Sequence, residues 1–242
     1  MSIRSPRLAA LGLLGVLLTG GALSGCGVSD DQLRPGVAAQ VGDTELGLDV
    51  IDDSVDVACS FFVDQQQVGF PRSLARQQFA SVLVQRAAAD QALEESGLAV
   101  GDDYEQGLSA LDASNEQIPE DQRAPFALLS EATTFVDAAA TLLGEEAFAA
   151  EGTVPADPIV LNDRGRSVIA SWLDENDVAI NPVFRLSVKD GQIVSAGTGT
   201  SVAASDFAVA GLLDPNTATE TDVTASAAQL PAGQLCGAAS PR

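Results

Sequence analysis

FALLSEATTFVDAAATLLGEEAF, residues 126–148, reads as one long helix with two apolar lines. Leu129, Ala132, Val136, Ala139 and Leu143 recur at helical spacing along one line, and Leu128, Phe135 and Leu142 form the other. A helix with one apolar stripe lies on a surface, whereas one that is apolar on two sides needs partners on both. This helix is therefore expected at the centre of a bundle. Pro119 and Pro125 bracket its start.

Helices are expected on either side of it. Leu74–Ser96 carries a buried stripe of Ala75, Phe79, Val82, Leu83 and Ala87, with Arg76, Gln77 and Arg86 off it, and Gly97 as the stop. A shorter helix follows with Tyr104, Leu108 and Leu111 as its apolar positions. Asp102 is the expected N-cap, and Glu105 completes a capping box. Further upstream a helix starts near Leu48–Asp49, with Ile51, Val55, Ala58, Cys59 and Phe62 on one face. Asp49, Asp52, Asp53 and Asp56 run beside that face. A straight stripe does not wrap a cation, so it reads as a solvated face. Gly69-Phe70-Pro71 breaks the chain after this helix.

Downstream, residues 152–158 read as a linker and 163–176 as the last helix of the bundle, with Val168, Ile169, Trp172 and Leu173 facing inward. Asn181-Pro182 stops it. Phe184, Leu186 and Val188 then alternate as in a strand, and Asp190-Gly191 is a two-residue hairpin turn before Ile193 and Val194. At the other end, Val37–Val41 and Thr44–Leu46 read as short extended runs about a Gly42-Asp43 turn. The expected fold class is mostly α: a helical bundle closed by a small β hairpin or short sheet drawn from both chain ends. Residues 196–242 are rich in Ala, Thr, Ser and Gly and read as a low-complexity, partly disordered tail, with residues 207–210 touching the body. Gly197 and Gly199 do not follow a strand-to-helix pattern and make no phosphate loop.

The chain has 242 residues and a formal charge of −22. Such a surface repels phosphate backbones and anionic headgroups, which excludes nucleic acid and electrostatic membrane binding. There is no His, which removes the usual general base and the commonest metal ligand; the only Met is Met1 and the only Lys is Lys189. Nucleophile elbow, Walker loop, zinc spacing and dinucleotide fingerprint are all missing from the sequence. The reading is of a protein that is not an enzyme, with no cofactor, no metal and no small-molecule substrate identified.

The N-terminus carries Arg4 and Arg7, then an apolar run from Leu8 to Leu18, the layout of a secretory signal. The run is short for a stable membrane span. It ends in Leu23-Ser24-Gly25-Cys26, which resembles a bacterial lipobox. That resemblance implies a signal peptide over 1–25, acylation of the Cys26 thiol by a diacylglycerol, and a protein anchored in the outer face of the cell membrane. Palmitate is the label such a site takes up. The alternative is an ordinary signal or anchor with a chance Cys. Residues 26–36 would then be a polar tether, 37–195 the helical domain and 196–242 the tail. Export leaves Cys59 and Cys236 as a candidate disulfide, contributing about 3–5 kcal/mol, against the alternative of two separate thiols.

Val41-Gly42-Asp43-x-x-Leu46, then the bundle, then Asn181-Pro182-x-Phe184 resemble the SurA-type N-terminal chaperone domain, to which PrsA foldases and trigger factor carry related modules. Leu83-Val84 leading into Gly97-x-x-Val100-x-Asp102 is similar to the family's passage between helices. The likeness covers about 37–195 and is to the actinobacterial lipoprotein branch. The chain departs from the family at Gly42-Asp43, where Asn-Gly is usual, and at Val183-Phe184-Arg185, where Arg-Phe-Gly is common. The gap at 149–162 leaves no room for a parvulin domain, so isomerase activity is not implied. The resemblance implies an apolar cleft for unfolded or extended polypeptides. Phe61, Phe62 and Phe70 are the candidate lining, and Arg72 and Arg76 the candidate contacts to client carbonyls or carboxylates. Each phenylalanine also fits an ordinary core position. The lack of Met beyond Met1 counts against broad client binding. The alternative is an envelope adaptor that docks one defined protein.

Overall fold

The computed structural model describes residues 33–196, 205, 209, 213–214 and 216–238. Residues 1–25, read as a signal peptide, and Cys26 and Phe207 lie outside the described residues. In chain order the elements are β1 (Val37–Val41), β2 (Thr44–Gly47), α1 (Leu48–Asp64), β3 (Phe70–Pro71), α2 (Arg72–Glu95), α3 (Asp102–Asn115), α4 (Ala124–Ala150), α5 (Pro158–Glu175), β4 (Val178–Ile180), β5 (Leu186–Lys189), β6 (Gln192–Ser195), α6 (Glu220–Ala227) and β7 (Leu235–Cys236). The fold is mostly helical with three small antiparallel sheets.

α4 takes the central place that its two apolar lines require. Ala132, Phe135, Val136, Ala139, Ala140, Leu143 and Gly144 are buried, and the helix packs on α5, α2 and α3. By length and hydropathy alone it would also pass for a membrane span; its buried positions meet the other helices. The main core joins them to Val84, Ala88 and Leu93 of α2 and to Ile169, Trp172 and Leu173 of α5. Much of the seam is alanine, so the helix axes lie close. At Gly144 and Gly165 no side chain fits at all. A Cβ on Gly165 would collide with the Ala140 carbonyl of α4, and one on Gly144 with the Leu161 carbonyl of α5. Polar contacts fix the edges of this packing. Asn162 Nδ2 donates to the Asp137 carbonyl at 3.0 Å, Arg166 pairs with Asp137, and Trp172 Nε1 donates to Glu95 Oε1 at 2.9 Å.

β1 lies between β2 and β4 in an antiparallel sheet, so strands from far apart in the sequence close the body together. Asn181 makes that closure specific. Its backbone N–H donates to the Ala38 carbonyl at 2.8 Å and its Nδ2 to the Val37 carbonyl at 2.9 Å, while its Oδ1 accepts from the Val183 N–H at 3.1 Å. The Pro182–Phe184 turn then drops Phe184 into the core, where it is 1% exposed. Buried Gln77 of α2 donates to the Phe184 carbonyl at 3.1 Å. Gln91, also of α2, holds the β1–β2 turn through the Val41 carbonyl at 2.6 Å and Thr44 Oγ1 at 3.0 Å.

Several boundaries differ from the sequence reading, each for a local reason. α3 is capped by Gly101 without a side-chain bond, so the expected Asp102–Glu105 capping box is not formed. α5 begins at Pro158 rather than 163, because Asp157 caps it by accepting from the Ile159 N–H at 2.9 Å and Pro suits the first turn. The alternation expected from Val183 is a 3-10 turn up to Phe184. Arg185, left-handed at φ 54°, turns the chain into β5. The Asp190-Gly191 turn has φ of 51° and 71°, as expected for a tight hairpin. Within the segment read as tail, residues 216–238 contain α6, a 3-10 turn and β7.

Ala for Gly inside an exposed helix stabilises by about 1 kcal/mol. At Gly165 the sign is expected to reverse, with Gly165→Ala losing roughly 1–3 kcal/mol as α4 and α5 are forced apart. Chemical denaturation of the variant measures this; unchanged or increased stability would contradict the close approach.

Candidate apolar binding site

The site is built where α1 ends, the chain reverses, and the C-terminal segment returns. α1 buries Ile51, Val55, Ala58 and Cys59 and stops at Asp64. Beyond it the chain turns through Gln66, left-handed at φ 52°, to reach β3. β3 pairs with β7, Phe70 opposite Cys236 and Pro71 opposite Leu235. The Gly69 N–H donates to the Ala238 carbonyl at 2.9 Å, and the Ala238 N–H to the Gln67 carbonyl at 2.8 Å. Gly69 is needed here, since a Cβ would stand 2.7 Å from the Ala238 oxygen. Cys59 and Cys236 form a disulfide between α1 and β7, with Cα atoms 4.2 Å apart, and Cys236 is 0% exposed.

The returning segment has a small core of its own in Ala227, Leu230 and Leu235. α6 lies against β3 and is started by a capping box. The Thr219 hydroxyl accepts from the Asp222 N–H at 3.2 Å, and the Asp222 carboxylate accepts from the Thr219 N–H at 2.9 Å. Hydrogen bonds from the Thr219 hydroxyl and then its backbone lower the pKa of Asp222. The cap's contribution is present above the usual aspartate pKa and is lost as pH falls through the lowered folded value.

Between α1, β3, α2, α4 and this segment lies a cavity of about 330 Å³, partly open to solvent and mainly apolar. Phe62, Phe70, Phe79, Phe126, Leu74 and Leu129 are its large apolar lining residues, and Ala218 and Val223 supply a wall from the C-terminal segment. The aromatic rings meet edge to face. Phe62 lies 5.4 Å from Phe70 and 5.9 Å from Phe126, and Phe61 lies 4.9 Å from Phe126, between ring centroids. Such pairs hold ring orientations as well as burying area.

Of the residues singled out from sequence, Phe62 and Phe70 line the cavity, and Phe61 stands behind Phe126 as a support. Arg72 and Arg76 do not reach it. Arg72 pairs with Asp56; Arg76 donates to Asp52 at 2.8 Å and lies 5.3 Å over the Phe184 ring. These pairs sit in a separate cleft of mixed lining that runs to Gln234, and they give two members of the aspartate stripe a partner. Sequence reasoning did not mark Phe126, Leu74, Ala218 or Val223 as lining. Among the described residues no group of three His, Cys, Asp or Glu side chains is placed to hold a metal ion. No family model, curated protein or solved structure matches the chain.

Unfolding the protein without reductant is expected to leave Cys59 and Cys236 closed to alkylation. Reduction is expected to open both and to lower stability by about 3–5 kcal/mol. Alkylation of both before reduction would contradict the bridge.

Proposed function

We propose that this protein is a lipoprotein anchored through Cys26 in the outer face of the cell membrane, where its SurA-like helical domain binds unfolded or extended polypeptides without isomerase or other enzymatic activity. The observation that carries the binding reading is the apolar cavity bordered by Phe62, Phe70 and Phe126. An apolar side chain entering it gains about 25 cal/mol for each Å² taken from water. Backbone groups of an extended segment would stay at the partly open mouth. The lipobox resemblance supports the anchor, and the order of Val41-Gly42-Asp43, the bundle and Asn181-Pro182 supports the domain type.

The second reading, an envelope adaptor docking one defined protein, is favoured by the size of the cavity. At about 330 Å³ it stands near the lower end of ligand sites, which run to about 1,000 Å³. One or two side chains fill it. No Met beyond Met1 is present to reshape it for varied clients.

Aggregation of several unrelated denatured proteins separates the two. The chaperone reading expects suppression near equimolar ratio, largely lost in Phe62→Asp. Failure against every client would overturn it, and capture of a single envelope protein through the same cavity would establish the adaptor instead.

A further inference from the structure

The cavity is apolar inside, and the elements that line it carry exposed acids next to their lining residues. Asp64 stands exposed two positions after Phe62, and Gln122 Nε2 donates to it at 2.8 Å, bringing the 3-10 turn with Glu120 and Asp121 alongside. In the C-terminal segment, Glu220 and Asp222 occupy the first turn of α6, just before the lining residue Val223. The arginines on these elements do not balance that charge. Arg72 and Arg76 are paired with Asp56 and Asp52, Arg86 of α2 lies over the Phe135 ring, and Arg123 follows Glu120 and Asp121 in the chain. The Arg123 guanidinium donates to the carbonyls of Ile118 and Glu116 and keeps its single positive charge, fewer than the carboxylates of Asp64, Glu120, Asp121, Glu220 and Asp222. The whole chain adds a background of −22. A second copy of the chain, carrying the same charge, would be repelled from these acids.

We propose that the occupant of this cavity is a large apolar side chain within a polypeptide segment rich in Lys and Arg. This rests on the peptide-binding reading above and narrows it. The cavity supplies burial, which is blind to charge. The carboxylates of Asp64, Glu120, Asp121, Glu220 and Asp222, on the elements that line it or adjoin them, supply selection, drawing in cationic flanks and turning away acidic ones. Val223 and Ala218 close the pocket on the side where two of these acids stand, so depth and charge are set by the same short helix and its cap.

Four short fluorescent peptides test this on the full oxidised chain. Three share a Leu-Phe-Leu centre flanked by Lys, by Ser or by Glu; the fourth has Lys flanks and a Ser centre. At low salt the Lys-flanked apolar peptide is expected to bind about tenfold or more tightly than the Ser-flanked one, with the Glu-flanked one weakest. The gap should shrink as salt is raised. Val223→Trp, which fills the cavity, should weaken every peptide with the apolar centre. The exposed pair Asp64→Asn with Glu220→Gln should reduce the preference for Lys while leaving the Ser-flanked peptide unchanged, and serves if Val223→Trp disturbs the fold. Equal binding of the Lys, Ser and Glu series overturns the charge selection and leaves peptide binding standing. Equal binding of the two Lys peptides, with and without the apolar centre, shows attraction to surface charge alone and overturns the proposal. No binding of any peptide overturns both.

Discussion

The seating of α4 between α2 and α5 is the constraint on which the rest of the molecule depends. The helix is apolar on two faces, and burying both requires neighbours close enough to exclude water. Ala139, Ala140, Ala88 and Ala89 keep the side chains at the seam short. Gly144 and Gly165 let carbonyls of the facing helix approach where a methyl group would not fit. Glycine within a helix is unfavourable by about 1 kcal/mol against alanine; here the closer contact it permits offsets that. Packing so tight has little freedom to adjust, since interiors near crystal density feel a single added methylene. A rigid frame follows, and the start of α4, with Phe126 and Leu129, projects from it into the apolar cavity.

Two closures then complete the body. β1 pairs with β4, and Asn181 satisfies the backbone of both the sheet and the turn after it. β3 pairs with β7, and the Cys59–Cys236 bridge ties the same strand to α1. The second closure shapes the cavity. It carries α6 to the edge of the phenylalanine cluster, so the C-terminal segment becomes a wall of the cavity. A groove open along its length would accept broad segments. With Ala218 and Val223 in place the space is a small pocket, walled by the segment that carries the α6 cap.

Much of the bundle was legible because its signals are local. The stripes of α1, α2 and α4 repeat at helical spacing, and Asp190-Gly191 names its own turn. The start of α5 was hidden behind a Pro that reads as a linker until Asp157 is seen to cap it. The capping box at Asp102 was a pattern without the geometry. The C-terminal segment was the largest gap. Its composition gives no stripe, and its order comes from a distant strand, a distant cysteine and a three-residue core of Ala227, Leu230 and Leu235. A one-dimensional pattern carries none of these. Thr219 with Asp222 three positions later was the one local signal available. For the site, Phe62 and Phe70 were legible as large apolar residues beside a chain break. Arg72 and Arg76 were misleading, because their partners Asp56 and Asp52 lie on another helix.

Native-state hydrogen exchange on the oxidised protein tests this picture most directly. If α4 is the buried centre and the C-terminal return is part of the body, the amides of Ala139 and Ala140 exchange only through global unfolding, and those of Gly69 and Ala238 are protected by their bonds to the Ala238 and Gln67 carbonyls. Exchange of the α4 amides at the rate of an exposed helix, with Gly69 and Ala238 unprotected, would contradict both the packing and the cavity it supports.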